Sequence, residues 1–484
     1  MDATMEDAAV NERYDDIIVG SGAGGAAAAY GLARQGRRVL ILEKGAALPE
    51  DGSTLDVERV IRRGAFKSTE RWLDGAGRTF VPEEYFNLGG KTRWYGAALL
   101  RFAPEEFEAD AAYGALPWPI AYRDLAPYYA EAEALLGVRE FPIEPDLRAL
   151  LDRLDGCWQS APLPLALAAG IIDDEHEARH FDGFASGRGL KADAVSALLA
   201  RIASLPNVTL RTASAVTALL PDPTDARGVA GVCVGNEAVS GERVLLAAGA
   251  LHSPRLLADY LERTGLARAL PAARQVGRYF KRHLLTAVLA FGPRRSEDRL
   301  RKTVLLSAEA FPHSTVQPLG FGGDVLSTLL PGFLPAPLAR LLGAHAYGFF
   351  LQTEDGSDTR NQVRVANGGG HPELDYDAAR TPAALAEHRR FVAAFRRALF
   401  AAGSPNGART IPLAGTAHAC GTLAAGDDPA RSVVDADGRV HGLANLHVVD
   451  GSVLARSSRV NPSLTIYAWA LRVAAGLGAR GACT

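Results

Sequence analysis

Cysteine is scarce in this chain. Its four examples, Cys157, Cys233, Cys420 and Cys483, lie far apart in 484 residues and form no CxxC pair. That spacing gives neither a disulfide framework nor a thiolate metal site, so the reduced thiols of a cytoplasmic protein are expected. The first ten residues, MDATMEDAAV, lack the basic start and apolar middle of a secretory signal. A large excess of either charge is also missing, with 52 Lys and Arg against 55 Asp and Glu. The formal net charge of -3 provides no basic field to neutralise phosphates along a duplex, and nucleic acid is not an expected partner. No uninterrupted apolar run is long enough to span a bilayer. The richest stretch, residues 325–342, carries Pro331, Pro335 and Pro337, which would break a spanning helix, so stable membrane insertion is not expected. Core packing is the default for that stretch, with a greasy substrate entry or a membrane contact as the other readings. Internal repeats and low-complexity tracts are lacking as well.

What is present is the composition of an ordinary globular protein, 48% hydrophobic and 22% charged, long enough for several domain-sized units. Residues 14–45 run from the β-branched YDDIIV through a glycine turn and an alanine-rich helix to a second strand at residues 38–42. This is a βαβ unit. Gly20, Gly22 and Gly25 form GxGxxG between the first strand and the helix, and Glu43 ends the second strand. Each position has a physical use: a tight turn, close backbone approach to a pyrophosphate, close helix packing, and a carboxylate able to accept from a ribose hydroxyl. A dinucleotide site is expected here, the bland alternative being a glycine turn in a sheet that binds nothing. The motif does not separate FAD from NAD. Residues 207–220 and 242–249 read as further strands, and residues 462–480 as a helix with Pro462 in its first turn.

Several separated segments, in order, resemble the glucose-methanol-choline oxidoreductases. They are the N-terminal fingerprint, NLGGKTRWYGAALLRF from Asn87, WPIAYRDLAPYYAEAE from Trp118, LLAAGALHSPRLL from Leu245, VGRYFKRH from Val276, HACGT from His418, DDPARSVVDADGRVHGLANLHVVDGSVL from Asp427 and NPSLTIYAWALRVA from Asn461. The resemblance covers both ends of the chain well and residues 287–412 poorly. It implies FAD as cofactor, with His418 as the catalytic base that takes the hydroxyl proton and Asn461 donating a hydrogen bond to the same oxygen. An imidazole titrating near neutral pH suits that task. Read without the surrounding block, His418 would be a hydrogen-bonded loop histidine and Asn461 an N-cap. The resemblance places Gly89 and Gly90 over the flavin ring, and Asp450 and Gly451 at a strand end that contacts the diphosphate. A structural turn is the other reading of Asp450 and Gly451. Val216, Gly249 and Pro462 are assigned to cofactor binding on the same ground. Members that attach FAD covalently tend to carry a histidine a few residues after the Gly-Gly pair. Here Lys91, Thr92, Arg93, Trp94 and Tyr95 follow, so noncovalent FAD is expected. Tyr95 stands where many relatives have asparagine, and GTLAAG from Gly421 replaces a usual Arg-Met pair.

The implied fold is α/β: a Rossmann-like FAD-binding domain, discontinuous over residues 11–102, 186–285 and 415–484, with an α+β substrate-binding domain from 103–185 and 286–414. The implied activity is oxidation of the CH–OH group of a small-molecule alcohol, with oxygen or another acceptor reoxidising the flavin. A dehydrogenase using a quinone or carrier protein, and a non-redox lyase that keeps FAD, are the alternatives. PGFLPAPLARLLG from Pro331 hints at an apolar or aromatic alcohol. His176 and His180, spaced i, i+4, could clamp a metal, but the acidic neighbours favour a solvated turn and no metal is expected. The basic run 388–397 reads as the wet face of a helix.

Overall fold

The computed structural model describes residues 13–364, 370–416 and 418–481. MDATMEDAAV and Cys483 lie outside the described residues. Tyr14–Val19 and Val39–Leu42 pair in parallel, with Asp16 opposite Val39 and Val19 opposite Leu42, and helix Ala23–Ala33 connects them. All four residues of Val39–Leu42 are buried. A parallel sheet covered on both faces explains why these strands read as continuous apolar runs rather than alternating ones.

Val208–Arg211 extends the sheet parallel to Val39–Leu42. On the other side lies Glu237–Leu246, whose last residues run parallel to Tyr14–Val19 and to Leu446–Val448. Its first residues instead pair antiparallel with Val229–Val234, which pairs in turn with Val216–Pro221. Residues 207–220, read from sequence as one strand, are therefore two strands with separate places in a seven-stranded sheet. The last helix, Ser463–Gly481, packs on Ala23–Ala33. A Cβ on Gly31 would stand 2.7 Å from the Ala474 Cβ, so small residues set that close approach.

A second, antiparallel sheet runs in the order Asn406–Thr410, Leu284–Phe291, Ala346–Thr353, Ser314–Pro318, Val304–Ser307 and Gln159–Pro162. Helix Pro382–Ala401 covers one face, where Phe391, Phe395 and Leu399 pack with Val288, Phe349 and Leu351. Arg389, Arg390, Arg396 and Arg397 form the exposed side of that helix. His388, counted from sequence with that wet face, is buried instead and lies 2.9 Å from both Thr286 Oγ1 and Thr353 Oγ1. The other face of the sheet is turned towards a cavity.

Residues 325–342 depart from the core-packing default. Val325 and Leu326 are buried, but Leu329, Leu338 and Leu341 are exposed and Phe333 is 85% exposed. The prolines divide the stretch into short helices, Gly323–Thr328 and Ala336–Ala344, joined at the surface.

Candidate active site

A cavity of about 880 Å³ opens at the carboxyl ends of the parallel strands, the usual place for a ligand in such a sheet. Gly20, Gly22, Glu43, Gly90, Val216, Gly249, His418, Asp450, Gly451, Asn461 and Pro462 all line it. Gly25 and Gly89 stand behind its wall. The fingerprint glycines divide by purpose. A Cβ on Gly20 (φ +107°) would sit 2.4 Å from the Ala247 carbonyl oxygen, and one on Gly25 would sit 1.9 Å from the Gly20 oxygen. A Cβ on Gly22 would meet nothing within 4 Å. The fold therefore needs the first and third glycines, whereas the second only keeps room in the cavity. Gly24, which the sequence reading passed over, is also required, because its Cβ would lie 1.8 Å from the Val449 oxygen. Helix Ala23–Ala33 begins at this turn and aims its unpaired first N–H groups at the cavity, an arrangement that attracts phosphate.

Glu43 is buried and ties three segments together. Its carboxylate accepts from the Ser21 N–H at 3.0 Å, the Ser21 hydroxyl at 2.6 Å and the Gly45 N–H at 2.8 Å. Ser21 Oγ accepts in turn from the Gly89 N–H at 2.9 Å. Gly89 and Gly90 are both left-handed (φ +86° and +53°), and a Cβ on Gly90 would stand 3.5 Å from the Gly22 Cα. The two glycine loops thus face each other across a narrow gap. Asp450 is buried, and its carboxylate accepts from Gly249 N–H, Ser253 Oγ, Ser452 N–H and Ser452 Oγ. Burial pushes its pKa up, against these hydrogen bonds. It fastens the end of strand Leu446–Val448 to the left-handed turn at Gly249 (φ +85°).

At the far end of the cavity, His418 Nδ1 lies 2.8 Å from His283 Nδ1, and His283 Nε2 lies 2.8 Å from the Ser458 carbonyl oxygen. A carbonyl only accepts, so His283 must carry its proton on Nε2 and offer Nδ1 as acceptor. His418 then donates from Nδ1, and its unprotonated Nε2 is left for the cavity. Burial, followed by the neighbouring His283, Lys302 and Lys91, holds His418 well below the usual histidine range. Burial likewise lowers His283, to about 4. Both imidazoles are therefore neutral at pH 7.

Ser458 holds its carbonyl in place from a left-handed conformation (φ +67°). Its hydroxyl donates to Glu106 at 2.8 Å, and Glu106 also accepts the Arg459 N–H at 2.9 Å. Arg456 is paired with Glu354 at 2.6 Å. This pinned loop delivers Asn461, whose Oδ1 accepts from Gln317 Nε2. The Asn461 amide N–H₂ is left to the cavity.

His283, Gln317 and Gly24 are the contributors that sequence reasoning missed. His283 ends the VGRYFKRH segment that carried part of the resemblance, which was a usable signal. Gln317 sits in the poorly matching middle and gave none. His176 and His180 share the helix Glu175–His180, but His180 Nδ1 lies 2.7 Å from the His176 carbonyl and Nε2 lies 2.7 Å from Asp324.

Comparison with known proteins bears on the family and the fold. Residues 357–470 match a family model described as GMC oxidoreductase, and residues 18–56 one described as an NAD(P)-binding Rossmann-like domain. The chain is 30% identical to paromamine 6'-oxidase of Streptomyces fradiae, over 95% of this chain and 90% of that one. It is also 30% identical to 6'''-hydroxyparomomycin C oxidase of Streptomyces lividus, over 97% and 92%. With 2-methyl-1,2-propanediol dehydrogenase of Mycolicibacterium austroafricanum it shares 26% identity, over 95% and 94%. Among solved structures, pyridoxine 4-oxidase superimposes with a TM-score of 0.67 at 21% identity, covering 96% of this chain and 98% of that one. A formate oxidase of Aspergillus oryzae superimposes with a TM-score of 0.70 at 15% identity, covering 98% and 99%, and has the same fold.

Proposed function

The chain belongs to the GMC oxidoreductases, FAD-dependent enzymes that oxidise alcohols, and from that premise we propose that His418 is its catalytic base and Asn461 the group that orients the substrate oxygen. The observation that carries this reading is the chain Ser458 carbonyl, His283, His418, which leaves His418 Nε2 unprotonated at the cavity. A neutral imidazole there takes the hydroxyl proton of an alcohol onto Nε2. Asn461, held by Gln317, donates from its amide to the same oxygen and stabilises the charge that develops as the proton leaves. FAD, when bound, supplies the hydride acceptor for the carbinol carbon.

The glycine cradle fits that cofactor. Gly22 and Gly90 keep the space for a diphosphate, Gly20 and Gly25 hold the turn that shapes it, and Glu43 stands beside it for a ribose hydroxyl. Val216, Gly249, Gly451 and Pro462 line the same cavity. Asp450 has filled its carboxylate with the chain's own donors and acts by shaping the backbone. The first turn of helix Ser463–Gly481 presents its partial positive charge beside Asn461, where it would favour negative charge on a bound group. Residues 11–102, 186–285 and 415–484 would supply the FAD-binding part, with 103–185 and 286–414 forming the substrate side.

Attachment is noncovalent in this proposal. The side chains after Gly90 are all engaged: Lys91 with Glu84 and the Thr416 carbonyl, Thr92 with the Gly89 carbonyl, Arg93 with Asp193, Trp94 with Asn87, and Tyr95 with the Ala192 carbonyl. Cys420 is buried and its thiol pushed up to about 12, chiefly by burial, so it stays protonated and unreactive. Oxygen is the proposed acceptor, supported by the oxidase names of the two relatives at 30% identity. The cytoplasm is the proposed compartment. Among the described residues, no helix is long and apolar enough to cross a membrane.

The test is anaerobic. The holoenzyme is mixed with primary, secondary, aromatic and sugar alcohols, and the flavin absorbance is followed. One class should bleach the flavin, and His418→Ala should slow that bleaching by at least about a hundredfold. Because His418 titrates below the usual histidine range, the acid limb of kcat/KM should fall below about pH 6.5. Flavin that no alcohol reduces would remove the oxidation reading and favour a lyase.

A further inference from the structure

We propose that Gln317 and Gln352 form a wall of hydrogen-bond acceptors that selects alcohols carrying a second hydroxyl near the reacting carbinol, an inference that rests on the alcohol oxidation proposed above. Both glutamines project from the cavity face of the antiparallel sheet, from the adjacent strands Ser314–Pro318 and Ala346–Thr353. Gln317 stands opposite Phe350, and Gln352 opposite Thr315, so the two glutamines are diagonal neighbours. Both are almost wholly buried yet line the cavity that contains His418 and Asn461.

Their hydrogen bonding fixes what they can offer. Gln352 Nε2 donates to Thr315 Oγ1 at 3.1 Å and to the Arg459 carbonyl at 2.9 Å. Because a carbonyl can only accept, the amide cannot turn round, and Gln352 presents its Oε1 to the cavity. Gln317 spends its Nε2 on Asn461 Oδ1 and likewise presents Oε1. Among the described residues, neither oxygen has a protein donor and neither is sealed away from the cavity. A substrate that covers these oxygens must therefore donate to them, and an alcohol ending in methylene or methyl groups would leave them desolvated and unpaired.

A charged pair completes the wall. Lys302 Nζ lies 3.0 Å from Asp182 Oδ2, and both residues are buried and line the cavity. They reach its surface beside Gly96, where a Cβ would stand 2.2 Å from Lys302 Nζ and 2.3 Å from Asp182 Oδ1. The lysine has N–H groups left to donate and the glutamines accept, which suits hydroxyls, since a hydroxyl does both. The apolar segment around Phe333 that suggested a greasy substrate lies at the surface, and none of residues 331–343 lines the cavity.

The experiment compares matched alcohols on the holoenzyme: glycerol and a hexitol against 1-propanol and 1-hexanol. Half-saturation for anaerobic flavin reduction is measured for each. The polyols should saturate at least about tenfold lower concentration than their monohydric partners. In Gln352→Leu that ratio should collapse towards unity through a rise in the polyol constant, with the bound-flavin spectrum confirming that the variant has folded. Gln352→Met, closer in shape, should behave in the same way. Equal saturation by glycerol and 1-propanol in the wild type would overturn the selection while leaving alcohol oxidation intact. So would a polyol preference that survives in both Gln352 variants. Flavin reduced by no alcohol at all would instead bring down the underlying reaction.

Discussion

Gly22 and Gly25 are three residues apart in one turn, yet their missing side chains serve different ends. Gly25 is demanded by the fold, since any Cβ would collide with the Gly20 carbonyl at 1.9 Å. Gly22 is demanded by nothing in the chain. Gly25→Val should therefore destabilise the protein by at least about 3 kcal/mol in urea unfolding without FAD. Gly22→Val should unfold within about 0.5 kcal/mol of the parent in the same assay, but purify without flavin. Equal losses of stability in the two variants would mean that the second glycine is structural too. The same scale explains what the residues revealed in advance. His418 and Asn461 were legible because each sits in a short, ordered block that resembles one family. His283 lay in such a block without a stated role, because its work is to orient another histidine from 135 residues away. Gln317 and Gln352 are ordinary glutamines until a strand register sets them side by side.

At the scale of elements, the substrate side depends on a packed charge cluster. His313, at the start of strand Ser314–Pro318, has Nδ1 3.1 Å from Glu387 on helix Pro382–Ala401 and Nε2 3.0 Å from Asp110. Tyr113 stacks on its ring at 3.9 Å and donates to Glu387 at 2.8 Å. Burial opposes protonation of His313, but the hydrogen bonds and charges of Glu387, Glu354 and Asp110 outweigh it and raise the pKa. A histidine raised above its unfolded value contributes stability that is fully present below about pH 6.5 and is lost as pH climbs through the folded value. Glu387 and Asp110 are lowered, so their share is lost as the pH falls towards the carboxylate range. His313→Gln should thus weaken the protein by about 1 kcal/mol at pH 6 and by clearly less at pH 9. Urea midpoints at the two pH values decide it, and a gap that is constant with pH would contradict the ion-pair account. Elements differed in legibility for a related reason. The βαβ unit announced itself because both of its strands are buried on two faces and read VLIL and YDDIIV. The antiparallel sheet did not. Ser314–Pro318 reads STVQP and is nevertheless wholly buried, since one face meets the helix and the other the polar cavity wall. Alternation between oil and water, the signal of a strand, is absent when both faces are covered.

For the whole molecule, the cofactor cleft is assembled from segments that meet only in the folded state. Strands from residues 14–42, 208–246 and 446–448 lie side by side in one sheet, and the glycine loop at Gly89 and Gly90 closes over them. An unfolded chain offers none of this cradle, so FAD held without a covalent bond stabilises only the native state. The stabilisation grows as RT ln(1 + [FAD]/Kd), about 2.7 kcal/mol when free FAD is a hundred times Kd. The thermal midpoint of protein stripped of flavin should therefore climb steadily with added FAD, and acid precipitation of the holoenzyme should leave its yellow colour in the supernatant. With a covalent bond, the pellet would keep the flavin and added FAD would leave the midpoint where it was. The stretch from Lys91 to Tyr95 argues for the first outcome, because it carries no histidine or cysteine to attack the ring and the Tyr95 hydroxyl is spent on the Ala192 carbonyl.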